Sequence, residues 1–235
     1  MKESERTEMD FWVITIDGPA GSGKSTIARM LAARLGAVCL DTGAMYRAVT
    51  AAAMDKGVNL EDGEALLKVL ETTRFQFEPD GQVLRVLADG KDYTQQIRRP
   101  EVTENVRFIA GQPALRSRLV QMQRDFASRF PKVVAEGRDQ GTVVFPDARW
   151  KFFLEADPLE RARRRQKDLA ECGIKVDLEE LKAQIESRDA SDRNRPVGPL
   201  AAAPDAIVID TTLISPEQTI EAMVQRMGKG SNGRN

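Results

Sequence analysis

The sequence predicts an α/β protein with a five-stranded parallel core sheet and a small inserted antiparallel piece. Three observations carry this prediction. Short, continuous apolar runs alternate with helical patterns along the chain, and the first run leads at once into a glycine-rich segment that opens a helix. Between about residues 61 and 99 the texture changes to two alternating runs that meet at Pro79-Asp-Gly81.

In order, Phe11-Trp-Val-Ile-Thr-Ile-Asp17 reads as a strand of a sheet covered on both faces. Ser25 to Leu35 is a helix, with Ile27, Met30, Leu31 and Leu35 at helical spacing and Gly36 as its stop. Ala37-Val-Cys-Leu40 is a second strand, ending in Asp41-Thr-Gly43, and Ala44 to Lys56 is helical. In the insert, a helix over Asp62 to Glu71 precedes a hairpin formed by Arg74-Phe-Gln-Phe77 and Val83-Leu-Arg-Val-Leu87. Gln112 to Phe130 is an arginine-rich amphipathic helix, and Lys132-Val-Val-Ala-Glu136 a strand running into Gly137-Arg-Asp139. Trp150 to Glu155 and Ala206 to Asp210 supply the last two strands. Helices at Pro158 to Cys172 and Asp177 to Ser191 lie between them, and Ser215 to Met227 is a closing helix. The expected organisation is a core domain over residues 11–60 and 101–228. An inserted subdomain spans 61–100, and 1–10 and 229–235 are flexible tails.

Composition narrows the chemistry. The 235 residues contain 35 basic and 36 acidic side chains and no histidine. That excludes His-ligated metals, Ser-His and Cys-His nucleophile pairs and an imidazole acid or base. A net charge of −1 and 6% aromatics argue against a nucleic-acid partner. Cys39 and Cys172 are too few and too far apart for a disulfide framework, and Cys39 reads as core rather than nucleophile. No apolar run approaches the ~18 residues of a membrane span. The acidic, polar first ten residues do not read as a signal peptide. A cytoplasmic monomer with no membrane partner is expected.

Gly18-Pro19-Ala20-Gly21-Ser22-Gly23-Lys24-Ser25, followed by Thr26, matches G-x-x-x-x-G-K-[ST] between a strand and a helix. The glycines let successive N–H groups face a phosphate, and the helix N-terminus adds potential favourable to anions. In this motif Lys24 reaches the β- and γ-phosphates and Ser25 ligates Mg²⁺, so the chain is expected to bind ATP in a P-loop NTPase three-layer fold. GTPases fit poorly, because neither N-K-x-D nor D-x-x-G occurs. Val133-Val-Ala-Glu136 has the form of a magnesium-positioning strand end, but its continuation into Gly-Arg-Asp suits substrate binding better. Asp17 is open between holding the phosphate loop and positioning Mg²⁺.

With this loop, four further features fall together. They are Asp41-Thr-Gly-Ala-Met-Tyr-Arg47, the arginine-heavy helix around Arg116, Glu136 to Ala148, and Arg188-Asp-Ala-Ser-Asp192-Arg-Asn-Arg195. Together they resemble the bacterial cytidylate kinases, P-loop nucleoside monophosphate kinases, from about Val13 to Arg226. The resemblance implies ATP-dependent phosphorylation of CMP and dCMP with Mg²⁺. It implies that Gly18 to Thr26 hold ATP, that Thr42, Tyr46 and Arg47 lie near the monophosphate, and that Arg116, Arg138 and Asp139 line the same cleft. Arg188, Asp192 and Arg195 would hold sugar, base or phosphate, the insert would attach to the monophosphate site, and residues at about 157–195 would form a helical lid over ATP. One position departs from the family pattern: Arg107 stands where a serine usually touches the base.

Elementary chemistry agrees with the resemblance. Phosphoryl transfer between two nucleotides concentrates negative charge, which guanidinium forks are shaped to hold. Lys24, Arg138, Arg188, Arg161 and Arg164 are the candidates for stabilising the transferring group. Arg161, Arg164 and Arg165 share one helix face by i, i+3, i+4 spacing, either as part of a lid or as a solvated basic face. Reading cytosine requires an acceptor for its amine, a part open to Asp192 unless that stretch is a solvated, charge-rich loop. The alternatives are another small-molecule P-loop kinase, of uridylate or shikimate type, or a nucleotide-binding regulator that does not turn over. A second arginine-lined site would be superfluous in such a regulator.

Overall fold

The structure, a computed structural model, describes residues 11–231 apart from Gln82 and Cys172. In chain order its elements are β1 (Trp12–Asp17), α1 (Lys24–Leu35), β2 (Val38–Asp41), α2 (Thr42–Asp55) and α3 (Gly63–Thr72). There follow β3 (Phe75–Asp80), β4 (Val83–Ala88), β5 (Lys91–Asp92), α4 (Pro100–Ala110), α5 (Pro113–Ala127) and β6 (Lys132–Gly137). A π-helical turn (Gln140–Val144) leads to β7 (Trp150–Glu155), α6 (Pro158–Glu171), α7 (Leu178–Arg193), β8 (Ile207–Asp210) and α8 (Pro216–Ser231). The expected tail at 1–10, residues 232–235 and the reading of Cys172 lie outside the described residues. Residues 229–231, expected in the second tail, instead continue α8.

β2, β6, β1, β7 and β8 form one sheet in that order, and every pairing in it is parallel. Alternation along each apolar run explains how the sheet is covered on both faces. Ile14, Ile16, Val134, Phe152 and Leu154 point to one side and pack with Ile27 and Leu31 of α1 and Ile220 and Met223 of α8. Val13, Val133 and Ala135 point to the other, against Met45 and Val49 of α2 and Leu115 and Leu119 of α5. Each such large side chain, once fully buried, contributes roughly 1.5–3 kcal/mol over exposure. Ala44, Ala48, Ala51, Ala52 and Ala53 are all buried on α2, so that helix sits with apolar neighbours on nearly every side.

Residues 63–92 carry α3 and a three-stranded antiparallel sheet, β3-β4-β5, turning at Gly81 with φ 58°. Phe77, Leu84, Val86 and Tyr93 join the same apolar cluster as α2 and α4. The insert is therefore welded to the main body by shared core. Asp55, at the end of α2, adds polar moorings by accepting from Lys91 Nζ at 2.7 Å, Tyr93 Oη at 2.8 Å and Gln96 Nε2 at 2.6 Å.

β1 lies between β6 and β7, whereas the strand that follows it in sequence, β2, lies beyond β6. A ligand crevice forms at the carboxyl ends of strands beside such a crossing point. Asp17, Asp41, Glu136 and Gly137 all stand at that edge.

Candidate active site

The loop between β1 and α1 takes its shape from three glycines with positive φ, 151° at Gly18, 76° at Gly21 and 87° at Gly23. A side chain at Gly18 would drive its Cβ to 2.2 Å from the Leu154 carbonyl oxygen, so the loop rests directly on β7. Lys24 opens α1 and is buried, with Nζ donating to the Pro19 carbonyl at 2.6 Å. Burial and then the Arg138 guanidinium bring its ammonium down to about 7. Ser22 is buried within the loop, donating to the Pro19 carbonyl at 3.1 Å, while Ser25 and Thr26 are exposed. Ala20 turns its N–H to Asp189 Oδ1 at 3.3 Å.

Ser25 Oγ donates to Glu136 Oε1 at 2.7 Å. Glu136 is buried, and burial and then the Asp41 carboxylate push it above the usual carboxylate range. Asp41 is its neighbour in the β2–β6 register. A hydroxyl and two carboxylates so arranged are hard oxygen donors of the kind Mg²⁺ selects. Glu136, read from the sequence as better suited to substrate binding than to a metal, turns its side chain to the phosphate loop through Ser25. Its signal was present in the sequence as an apolar strand ending in an acid. Asp17 makes no hydrogen bond to the phosphate loop among the described residues. It accepts from the Gln140 and Gly141 N–H groups at 2.9 and 2.8 Å and so holds the π-helical turn.

Across the edge lie the residues expected around the monophosphate. Thr42 Oγ1 donates to the Glu136 carbonyl at 2.7 Å, which ties the start of α2 to β6. Asp41 caps α2 by accepting from the Ala44 N–H at 2.8 Å, and it pairs with Arg47 at 3.0 Å. Arg116 and Asp139 form a buried ion pair, and Arg116 Nε is buried with no hydrogen-bond partner. The Arg116 guanidinium lies 5.8 Å from the ring centroid of buried Tyr46, whose hydroxyl burial pushes up to about 12. Arg138 Nε donates to Asp192 Oδ2 at 2.8 Å, and Arg195 pairs with the other oxygen at 3.0 Å. Burial opposes ionisation of Asp192, but Arg138 and Arg195 outweigh it and hold the carboxyl below its ordinary range. Arg188 keeps an exposed surface and forms no ion pair among the described residues, but its guanidinium sits among the charges of the site. Desolvation and then the Arg138 charge lower its guanidinium to about 10. Sequence reasoning did not single out Gly198, yet its φ is 58° and a Cβ there would lie 2.0 Å from Arg116 Nη2 and 2.2 Å from Asp139 Oδ2. It roofs that pair.

The structure divides the three arginines expected to close over phosphates. Arg161 is buried against Asp189 and the Ala20 carbonyl. Arg164 donates to the Thr211 carbonyl at 2.5 Å and pairs with Glu160 at 3.3 Å, which commits it to the end of β8. Arg165 is exposed. Helical spacing placed them on one face, but buried acceptors on neighbouring elements claim the first two.

Comparison with known proteins adds an independent line. A family model described as "Cytidylate kinase" matches residues 14–229. The chain is 47% identical over 213 residues to a cytidylate kinase of Rhodopirellula baltica, covering 91% of each. It is 47% identical over 218 residues to one of Pelotomaculum thermopropionicum, covering 92% of this chain and 96% of that one.

Proposed function

The chain belongs to the cytidylate kinase family, and from that premise we propose that it moves the γ-phosphoryl group of ATP in line onto a phosphate oxygen of CMP or dCMP. In that step a bond forms from the acceptor oxygen to the γ-phosphorus. The bond to the β–γ bridging oxygen breaks, and ADP and the nucleoside diphosphate leave. The observation that carries the reading is the juxtaposition at one sheet edge of a phosphate loop and a cluster of guanidiniums held by Asp41, Asp139 and Asp192. A phosphate monoester has a second pKa of ~6, so the acceptor is already mostly a dianion at neutral pH. No general base is required, in keeping with a chain that has no histidine.

Lys24 is placed to leave the Pro19 carbonyl for the β- and γ-phosphates, whose negative charge restores its proton affinity. Arg138 and Arg188 would hold the equatorial oxygens, and Arg47 would exchange Asp41 for the acceptor phosphate. Ser25, Glu136 and Asp41 fit Mg²⁺, which when bound neutralises phosphate charge and orients the triphosphate. For the base, the Arg116–Asp139 pair offers a spare N–H beside a carboxylate, a donor and an acceptor suited to the cytosine edge. Both oxygens of Asp192, the residue favoured for this part from sequence, are engaged by Arg138 and Arg195. Among the described residues no helix is long and apolar enough to cross a membrane, and a cytoplasmic monomer is the proposed setting.

Release of ADP measured with CMP, dCMP, UMP and AMP tests the reading in the presence of ATP and Mg²⁺. CMP and dCMP are expected to give the highest kcat/KM. Faster turnover of UMP or AMP would overturn the substrate assignment.

A further inference from the structure

Arg161 and Asp189 form the most deeply buried ion pair near the site, and the transfer step described above uses neither. Arg161 lies in the first turn of α6 and Asp189 near the end of α7, at 3% and 1% exposure. Arg161 Nη1 and Asp189 Oδ2 are 2.5 Å apart. Both residues also grip the backbone of one residue of the phosphate loop, through the two peptide groups that flank it. Asp189 Oδ1 accepts from the Ala20 N–H at 3.3 Å, and Arg161 Nη1 donates to the Ala20 carbonyl at 3.0 Å. Arg161 Nε donates to the Ala156 carbonyl at 2.9 Å, so the guanidinium cannot turn without abandoning a second acceptor. A Cβ added to Gly21 would lie 3.2 Å from Arg161 Cβ, which leaves the loop little room to slide over the helix.

We infer that Arg161 and Asp189 are positioning residues that clamp the Ala20 backbone to the base of the α6–α7 hairpin and hold the phosphate loop in its binding form. The inference rests on the reading of that loop as an ATP site. It also reassigns Arg161, whose donors face protein acceptors rather than the open side of the cradle. α6 and α7 pack on each other through Ala162, Leu181 and Ile185, so the hairpin leaves the clamp as one body. Arg188 immediately precedes Asp189 and Asp192 follows it by three residues, so one anchor sets both the donor loop and the acceptor-side charges. Two opposite charges removed from water are stable only with their remaining hydrogen bonds satisfied, and the Ala20 and Ala156 backbone groups satisfy them here.

The test is equilibrium binding of a fluorescent ATP analogue to the full chain, titrated without acceptor, with thermal unfolding followed in parallel. Asp189→Ala is expected to weaken binding by about tenfold or more, because the loop loses its N–H partner and Arg161 its counter-charge. Asp189→Asn keeps an oxygen for the Ala20 N–H and is expected to recover part of that loss. Arg161→Lys keeps a charge for Asp189 but has no planar fork to reach two carbonyls, and is expected to weaken binding by a similar factor. Should Asp189→Ala not fold, Arg161→Lys decides the matter. Parent-like binding by Asp189→Ala or Arg161→Lys overturns the inference, as does an Asn variant no better than Ala. CMP turnover is scored separately. A parent chain that binds the analogue but does not phosphorylate CMP breaks the kinase reading and leaves the clamp to stand or fall on its binding data.

Discussion

Asp17 commits both carboxylate oxygens to backbone N–H groups at the start of the π-helical turn. Burial, working against those two hydrogen bonds, pushes its carboxyl up to about 7 from an ordinary value near 3.8. The folded protein therefore holds a proton here that the unfolded chain has already released between those two values. Stability from this group is complete below the lower value and is lost as pH rises through the upper one. Burial also raises Glu136 and Asp139, which add to the same trend. Asp17→Asn cannot titrate and keeps one acceptor oxygen for the turn. Denaturant unfolding from pH 5 to 8 is expected to show the parent losing stability with rising pH and the variant losing distinctly less. Parallel curves would mean that Asp17 is not the proton holder. Sequence alone left Asp17 between the phosphate loop and a metal because its true partners lie 123 and 124 residues away.

At the scale of elements, the five core strands were legible because each is a short apolar run bounded by turn residues or acids. Their spatial order was not, since nothing local in Val38–Asp41 says that β6 will separate it from β1. α4 went unread. Its apolar positions Val102, Val106 and Ile109 have helical spacing and Pro100 occupies its first turn, but four charged or amide side chains dilute the pattern. The arginines of the site were legible through their motifs, whereas the pairs Arg116–Asp139 and Arg138–Asp192 join distant segments. The loop after α7 was the least legible element, being irregular backbone fixed by contacts such as the Leu200 N–H to the Asp192 carbonyl at 2.8 Å. Gly198 in that loop supplies its own prediction. Gly198→Ala must displace either the loop or the Arg116–Asp139 pair, at a φ of 58° that disfavours a side chain. KM for CMP is expected to rise about tenfold, equivalent to about 1.4 kcal/mol, with KM for ATP nearly unchanged. An increase confined to ATP would show that Gly198 does not roof the acceptor site.

For the whole molecule, the net charge of −1 hides a local arrangement in which 16 of 24 arginines fall between Arg98 and Arg195. The fold gathers several of these at one sheet edge and matches Arg47, Arg116, Arg138 and Arg195 to carboxylates. Pairing of this kind avoids the repulsion that bare guanidiniums would impose before nucleotides bind, and incoming phosphates replace the carboxylates as partners. Both nucleotides then compete for one electrostatic zone, and a single molecule carrying both ends should satisfy it best. Adenosine and cytidine joined through five phosphates make the second contact intramolecular, which raises affinity without a new interaction. At a concentration near 100 times its Kd, such a ligand adds about 2.7 kcal/mol, or about 5–10 °C in Tm for a chain of this size. The same concentration of ATP or CMP alone is expected to shift Tm distinctly less. The uridine-ended compound should fall between, because it keeps the phosphates but cannot donate from an exocyclic amine to Asp139. A joined ligand that stabilises no more than ATP would mean that the loop and the arginine cluster are two separate sites rather than the two halves of one.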